Sequence, residues 1–367
     1  MGCGFLAYTI IPVAQRSPLG RQPRGLEGDT SMSCAGLHVI SHTDLDGVTS
    51  ALVAWTYARP RMSPVRVSLA GYGEVDLLVM DSLSRGEPFV VLDLFCQRPQ
   101  TVDEIDRAFV QGDPPLFFDH HQSTLERYGN RPWVQVDVKS CAALVYYRWL
   151  MEKATEEDRR RLARLEGIVE TANDRDLWLN RIPESRLWQA LVTLCGPWAV
   201  LARLIEDPSP GLEPDERAFT EDFVREQEAR FGLALEKALR SGEDLLFVGP
   251  GSLEFGDVSD FCGLVLDRMA SPPRLVAVLS RRPAGDWSVS LRSREGFAGR
   301  VTGLLRDGKK VRGGGHDDSA GLYFPPQYRP EEIRDSLLSA VRSALESDAP
   351  SGLTLGDLLK QAMKEKE

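Results

Sequence analysis

The segment best suited to chemistry is Ser41-His42-Thr43-Asp44-Leu45-Asp46-Gly47. It follows an apolar run that predicts a short buried strand. Side chains two residues apart lie on one face of an extended backbone, so His42, Asp44 and Asp46 are expected to project together. One imidazole and two carboxylates at one point form a set of metal ligands. The structural alternative is that Asp46 is simply the N-cap of the helix predicted over 48–58.

Two further predicted strands end in residues of the same kind. Asp93 follows one apolar run, and Asp119-His120-His121 follow the next. Ligands bind outside the carboxyl ends of parallel strands, so three such ends favour one metal site over three unrelated polar turns. Oxygen ligands with some imidazole suit Mn²⁺ or Mg²⁺ better than structural zinc.

Strands and helices alternate along the first half of the chain, which predicts an α/β fold with a parallel sheet. The predicted strands cover 37–40, 65–70, 89–92 and 116–118, and the predicted helices cover 48–58, 74–83, 100–110, 139–154 and 157–172. A helical connector is expected next, followed by a smaller α/β domain. That domain is predicted to contain a strand at 245–248, a helix at 258–269, a hairpin of 274–280 with 287–292, and a closing helix at 331–346.

The motifs, in this order, resemble those of the DHH phosphoesterase superfamily. The first three correspond to His42-Thr-Asp44-Leu-Asp46-Gly47, to Asp93 in Val-Val-Leu-Asp, and to Asp119-His120-His121. The two-residue spacing between the first histidine and its aspartate is similar to that of the RecJ-like and nanoRNA-degrading branches.

Two later segments extend the resemblance. The fourth motif supplies an aspartate at the end of a helix, and Asp176-Leu177-Trp178 is similar to its Asp-x-Trp form, with Asp174 as the alternative ligand. Ser290-Leu-Arg292-Ser and Gly313-Gly314-Gly315-His316 resemble the motifs of the DHH-associated C-terminal domain. A triple glycine alone is usually a flexible loop, but it also lets backbone N–H groups approach an anion.

The resemblance implies a two-metal phosphoesterase with its active site in the cleft between the two domains. One ion would take His42, Asp44 and Asp93, and the other would take Asp46, Asp93, His120 and Asp176, with Asp93 as the bridge.

The remaining site residues would act around the metals. Asp119 would orient the ligand histidine, and His121 would bind a phosphate oxygen or protonate the leaving oxygen. Arg292, Gly313–Gly315 and His316 would hold the far phosphate or base of the substrate.

The predicted reaction is Mn²⁺-dependent hydrolysis of short oligonucleotides (nanoRNA) to mononucleotides, with phosphoadenosine phosphate as a further candidate substrate. A cyclic dinucleotide phosphodiesterase, a RecJ-like single-strand exonuclease and an exopolyphosphatase are alternatives on the same core. A non-catalytic nucleotide-binding regulator is disfavoured because all four motifs keep their ligands.

Composition limits the partners. A net charge of −10 argues against a broad basic surface for long duplex nucleic acid, although metal ions can supply positive charge locally. The six cysteines form no Cys-x-x-Cys pair, which fits a cytoplasmic protein. A homodimer is a further expectation.

The domain organisation follows from these patterns. We expect a disordered extension over 1–35, a DHH catalytic domain over 36–183, a helical connector over 184–243, a substrate-binding domain over 244–346 and a tail over 347–367.

Overall fold

The computed structural model describes residues 36–348, with the exception of 63, 295, 308–310 and 316–317. The predicted extension over 1–35, His316 and nearly all of the predicted tail lie outside the described residues. Every described helix is too short or too polar to traverse a lipid bilayer.

A five-stranded sheet organises the first lobe, which runs from residue 37 to residue 176. Its elements are β1 (Leu37–Ser41), α1 (Leu45–Ala58), β2 (Val65–Leu69), α2 (Val75–Arg85), β3 (Phe89–Leu92), α3 (Pro99–Ala108), β4 (Phe117–Asp119), α4 (Gln122–Tyr128), β5 (Val134–Val136), α5 (Ala142–Lys153), α6 (Glu156–Ala163) and α7 (Glu166–Asp176). The strand order is β2-β1-β3-β4-β5 and all neighbours pair in parallel, which confirms the predicted α/β class.

The prediction of one helix over 157–172 is wrong, because α6 ends at Ala163 and α7 begins at Glu166. The period of the apolar residues continues across this break, so periodicity alone could not reveal it. The sequence also missed α4 and β5, which are too short to carry a periodic signal.

Both faces of the sheet are buried. On β1, Val39 belongs to a core with helices α1 and α5, while its neighbour Ile40 belongs to the core on the opposite face. Phe118 and Phe117 divide in the same way on β4. This double burial explains why the strands are continuous apolar runs instead of alternating ones.

His38 is a fully buried histidine on β1, away from the metal-ligand motifs. Its Nδ1 lies 2.7 Å from Ser82 Oγ and its Nε2 lies 2.9 Å from Ser68 Oγ. Burial, aided by the charge of Arg66 and partly opposed by Glu87 and Asp81, lowers the pKa of His38 to about 4.

The free energy of unfolding should therefore fall as the pH drops from 7 to 5. His38 binds a proton near pH 6.5 in the unfolded chain but only near pH 4 in the folded chain. As the pH falls between these two values, protonation of His38 favours the unfolded chain, so the free energy of unfolding decreases. The expected loss is about 2 kcal/mol. Urea unfolding of wild type and His38→Gln at both pH values measures it, and equal pH dependence in the two proteins would contradict the prediction.

Three helices form the connector: α8 (Glu184–Cys195), α9 (Pro197–Glu206) and α10 (Pro214–Lys237). Pro197 and Pro214 each occupy the first turn of a helix, where the missing N–H has no intrahelical partner to lose. They start helices instead of interrupting one.

A six-stranded mixed sheet organises the second lobe, which runs from residue 239 to residue 348. Its elements are β6 (Leu239–Ser241), β7 (Leu245–Val248), α11 (Val258–Arg268), β8 (Leu275–Arg281), β9 (Trp287–Ser293), α12 (Phe297–Asp307), β10 (Arg312–Gly315), β11 (Ser319–Phe324) and α13 (Pro330–Asp348). The order is β10-β11-β9-β8-β7-β6, with the predicted hairpin formed by β8 and β9. The strand β6 lies within the segment predicted as connector.

Candidate metal centre

Three adjacent strands of the first sheet deliver the candidate ligands. In the strand register Ser41 lies beside Leu92, and Leu92 lies beside Phe118. The residues that follow these three positions therefore leave the sheet at one edge, as expected for the carboxyl ends of parallel strands.

His42 and Asp44 form the first corner of the site. His42 Nδ1 lies 2.9 Å from Asp44 Oδ2 and 3.5 Å from Asp93 Oδ2. Asp44 is the N-cap of α1, because its Oδ1 accepts a hydrogen bond from the Gly47 N–H at 2.9 Å. A Cβ at position 47 would lie 2.4 Å from the His42 carbonyl oxygen, so only glycine fits this turn.

Asp46 is not the N-cap of α1, which was the structural alternative to its role as a metal ligand. It lies inside the first turn of that helix. Its carboxylate instead receives the backbone N–H groups that open α5, with Ala142 N at 2.8 Å from Oδ2 and Ala143 N at 2.8 Å from Oδ1. These bonds fix the carboxylate beside His120 and Asp176, and one nitrogen or oxygen from each of these three residues lies within 4.8 Å of the others.

Asp93 lies between the two corners. Its backbone has a φ of 58°, a left-handed conformation that is uncommon for residues other than glycine. Asp93 Oδ1 lies 3.3 Å from His120 Nε2, and Asp93 Oδ2 is buried without a hydrogen-bond donor among the described residues. Strained backbone and an unsatisfied buried carboxylate oxygen are both typical of functional sites.

Asp176, and not Asp174, faces the cluster. Asp176 Oδ2 lies 3.3 Å from His120 Nδ1. Like Asp93 Oδ2, it is buried and accepts no hydrogen bond of regular geometry within the part of the chain that the structure describes. Asp174 accepts hydrogen bonds from Ser185 Oγ at 2.7 Å and from Arg181 N at 2.8 Å. Its carboxylate therefore stabilises the start of α8.

Asp119 contacts a different histidine from the one expected. Its Oδ1 lies 2.6 Å from His121 Nδ1, and its Oδ2 accepts a hydrogen bond from Thr124 Oγ1 at 2.5 Å. Its hydrogen bond from His120 comes from the backbone N–H, at 2.8 Å. Asp119 thus orients the ring of His121, the residue that follows the candidate ligand.

Tyr72 is a site residue that sequence analysis missed. It follows β2, and its hydroxyl lies 3.3 Å from His121 Nε2. Its ring centroid is 5.4 Å from that of His42. The only sequence signal was the flanking pair Gly71 and Gly73, which marks a turn but no chemistry.

The electrostatics of the cluster favour a cation. Burial, with the charge of Asp93, raises the pKa of Asp46 to about 7, and burial raises the pKa of Asp176 to about 7. Burial and the charge of Asp44 raise the pKa of Asp93 as well. Several buried carboxylates resist ionisation here, and a divalent ion would relieve both the desolvation and the mutual repulsion.

The pKa values of the histidines are also raised, which for a histidine favours the charged form. Burial opposes their protonation, but Asp44 and Asp93 raise the pKa of His42 to about 11, and Asp176 and Asp93 raise the pKa of His120. Asp119 likewise raises the pKa of His121 against the effect of burial. The surrounding carboxylates therefore favour positive charge at each of these three positions.

Two solved structures are similar to this chain over most of its length. RecJ from Thermus thermophilus in complex with Mn²⁺ is 16% identical over 84% of this chain and 52% of that chain, with a TM-score of 0.53. An exonuclease RecJ bound to manganese is 15% identical over 86% of this chain and 93% of that chain, also with a TM-score of 0.53. The chain therefore has the same fold as these two RecJ structures.

Other comparisons are weaker. The pGpG-specific phosphodiesterase PggH from Vibrio cholerae is 12% identical over 84% of this chain and 99% of that chain, but its TM-score of 0.48 does not establish a shared fold. No protein-family model and no curated protein matches the sequence.

The second lobe brings Arg292 to the cleft. Arg292 lies on β9, and its Nη2 is 3.3 Å from Ser259 Oγ on α11. It has no carboxylate partner among the described residues, and burial lowers its pKa. A cavity of about 430 Å³ is lined both by Arg292 and by Asp44, Asp46 and Asp176.

The glycine motif forms a strand and not a loop. Gly313, Gly314 and Gly315 lie in β10 and pair with β11. A Cβ at Gly313 would lie 2.5 Å from the Gly321 carbonyl oxygen, so strand packing alone requires glycine there. Gly314 lines a cavity together with His121 and Tyr72.

Proposed function

We propose that this chain is a metal-dependent phosphodiesterase that hydrolyses short oligonucleotides to mononucleotides. The observation that carries the proposal is the convergence of candidate ligands around Asp93. His42, Asp44 and Asp93 form one group, and Asp46, His120 and Asp176 form a second. A third group, formed by Asp93, Asp119, His120 and His121, links the two. The unsatisfied oxygens of Asp93 and Asp176 are the donors that a cation would use.

Asp93 would contribute to both ions, since it lies beside His42 on one side and His120 on the other. When bound, two divalent ions supply the chemistry of a two-metal hydrolase: they acidify a water and neutralise charge on the phosphate. Mn²⁺ is the ion proposed, with Mg²⁺ as the alternative, because the donors are mostly oxygen with some imidazole.

The side chains of the protein itself do the remaining work. His121, held by Asp119 and 3.3 Å from the Tyr72 hydroxyl, is placed to protonate the leaving oxygen. The guanidinium of Arg292, which no carboxylate of the described residues neutralises, is a ready contact for a phosphate of the substrate. Gly314 has open space where a Cβ would lie, and it lines a separate cavity together with His121. His316, which is proposed to hold the far phosphate or base of the substrate, lies outside the described residues.

Short substrates are favoured by the size and charge of the protein. A cavity of about 430 Å³ is at the small end of the range for ligand sites. The net charge of −10 would repel a long polyanion wherever metals do not compensate. Phosphoadenosine phosphate fits the same reasoning. The cytoplasm is the proposed compartment, since Cys96, Cys141, Cys195 and Cys262 are all free thiols.

The test is a panel of substrates with and without Mn²⁺: a 5′-phosphorylated diribonucleotide, a 24-residue single-stranded DNA, a cyclic dinucleotide and polyphosphate. We expect mononucleotide release from the diribonucleotide to be fastest and to stop when EDTA removes the metal. Faster hydrolysis of the DNA, the cyclic dinucleotide or polyphosphate would show that the proposed substrate is wrong. The proposal of metal-dependent hydrolysis would still hold. No hydrolysis of any substrate by Mn²⁺-loaded protein would overturn the proposal.

A further inference from the structure

The cavity beside the metal centre is enclosed by three parts of the chain. The first lobe contributes Asp44, Asp46, Asp176 and His121. The connector contributes residues of α8 and α10, and the second lobe contributes residues of α11 and β9. The cavity of about 430 Å³ is at the small end of the range for ligand sites, which gives room for about one nucleotide-sized group beside Asp44, Asp46 and Asp176.

A few side chains separate this cavity from a much smaller one. The second cavity has a volume of only about 20 Å³, with room for about one water molecule. The two cavities share Arg175, Trp178, Arg186 and Asp260. We call these four residues the partition.

The partition joins the two lobes through paired charges and ring stacking. Arg175, at the end of α7, forms an ion pair with Asp260 on α11. The same guanidinium lies 4.0 Å from the centroid of the Trp178 ring. Arg186 is anchored separately, with its Nη2 donating to Gln227 Oε1 at 2.9 Å. Each charged member therefore already has a partner within the protein.

Trp178 is held from both sides. Its backbone has a φ of 53°, which is strained for a bulky residue. Its ring lies against the backbone of α11, since a Cβ at Gly263 would be 2.9 Å from the ring. Trp178 lies two residues from Asp176 and packs against a glycine of the other lobe. These contacts restrict the movement of its ring.

We propose that the partition closes the cavity behind a single nucleotide, so that the enzyme removes one nucleotide per cut. The inference rests on the proposed hydrolysis of oligonucleotides and adds the determinant of product length. A second nucleotide on that side of the scissile bond would have to displace the Trp178 ring and break the Arg175–Asp260 pair. The partition residues act on specificity by excluding longer ends, and they do not touch the reacting atoms.

The experiment is the first cut of a 5′-phosphorylated tetranucleotide under single-turnover conditions with Mn²⁺. The wild type should yield a mononucleotide and a trinucleotide. Trp178→Ala, which removes the ring, and Asp260→Asn, which keeps the shape and breaks the ion pair, should raise the share of dinucleotide about tenfold, the scale of discrimination by one or two contacts. The control is Asp267→Asn on the same helix, α11. It breaks the ion pair of Asp267 with Arg294, the residue after β9, and Asp267 does not line the 430 Å³ cavity.

Each result has a separate meaning. Release of a dinucleotide in the first cut by the wild type would overturn the proposed role of the partition. It would leave the phosphodiesterase proposal intact. Unchanged product lengths in folded Asp260→Asn and Trp178→Ala would also overturn it, and Trp178→Phe replaces the alanine variant if that protein does not fold. No hydrolysis of the tetranucleotide or the diribonucleotide by the wild type would instead overturn the proposed function.

Discussion

Asp93→Asn is expected to reduce hydrolysis of a diribonucleotide by roughly a thousandfold or more, because even one lost electrostatic contact to a transition state costs about 10²–10³. Asp93 lies between the candidate ligands, with His42 Nδ1 at 3.5 Å on one side and His120 Nε2 at 3.3 Å on the other. Asparagine keeps the shape of the side chain and tolerates the φ of 58°, so the backbone should not change.

The same variant should leave the metal-free protein at least as stable as the wild type. Burial and the charge of Asp44 raise the pKa of Asp93 in the folded state, so its ionisation at neutral pH opposes folding. Removing the charge removes that penalty. Stabilisation by added Mn²⁺ should be lost at the same time, because it depends on affinity for the folded state.

Thermal unfolding with and without Mn²⁺, measured beside the hydrolysis assay, checks both parts. The control is Asp106→Asn, at a carboxylate that accepts a hydrogen bond from Trp133 Nε1 at 2.8 Å, outside the described ligand groups. Asp93→Asn protein that still hydrolyses substrate and is still stabilised by Mn²⁺ would refute the bridging role.

The strand ends could be predicted from the sequence because their signals are local. An apolar run followed by an acidic residue or histidine marks the carboxyl end of a buried strand, and a parallel sheet brings such ends together. The paired β1, β3 and β4 meet this expectation. The ligand candidates could therefore be named without any knowledge of distances.

Contacts between distant segments could not be predicted in this way. The bonds from Asp46 to the start of α5 join residues 96 and 97 positions apart. The Arg175–Asp260 pair joins residues 85 positions apart. No period or spacing encodes these partners, because they depend on how helices from separate segments pack after the sheet has formed. Tyr72 was missed for the same reason, since its proximity to His121 arises only in the folded chain.

The two aspartates at the end of α7 should respond to substitution in opposite ways. Sequence spacing left Asp174 and Asp176 open as the last ligand, but their surroundings differ. Asp174 is buried and satisfied by Ser185 and Arg181. Asp176 has an unsatisfied oxygen in the cluster, and as the last residue of a helix it also faces the negative end of the helix dipole. The protein therefore stabilises the charged carboxylate of Asp176 only weakly, whereas a bound cation would stabilise it strongly.

Asp176→Asn should therefore lower kcat about a hundredfold or more and raise the Mn²⁺ concentration needed for half-maximal activity. Its free energy of unfolding without metal should be unchanged or higher, because burial disfavours the charged form of Asp176. Asp174→Asn should instead lower the free energy of unfolding by about 1–3 kcal/mol through weakened buried hydrogen bonds, with the Mn²⁺ requirement unchanged.

Urea unfolding and Mn²⁺ titration of activity on both variants separate the two roles. Because the substitutions are chemically identical and two residues apart, each variant is the control for the other. A normal Mn²⁺ requirement in Asp176→Asn with a raised one in Asp174→Asn would assign the ligand to Asp174. Since Asp174 could reach the cluster only by releasing Ser185, that result would also mean that the start of α8 rearranges when metal binds.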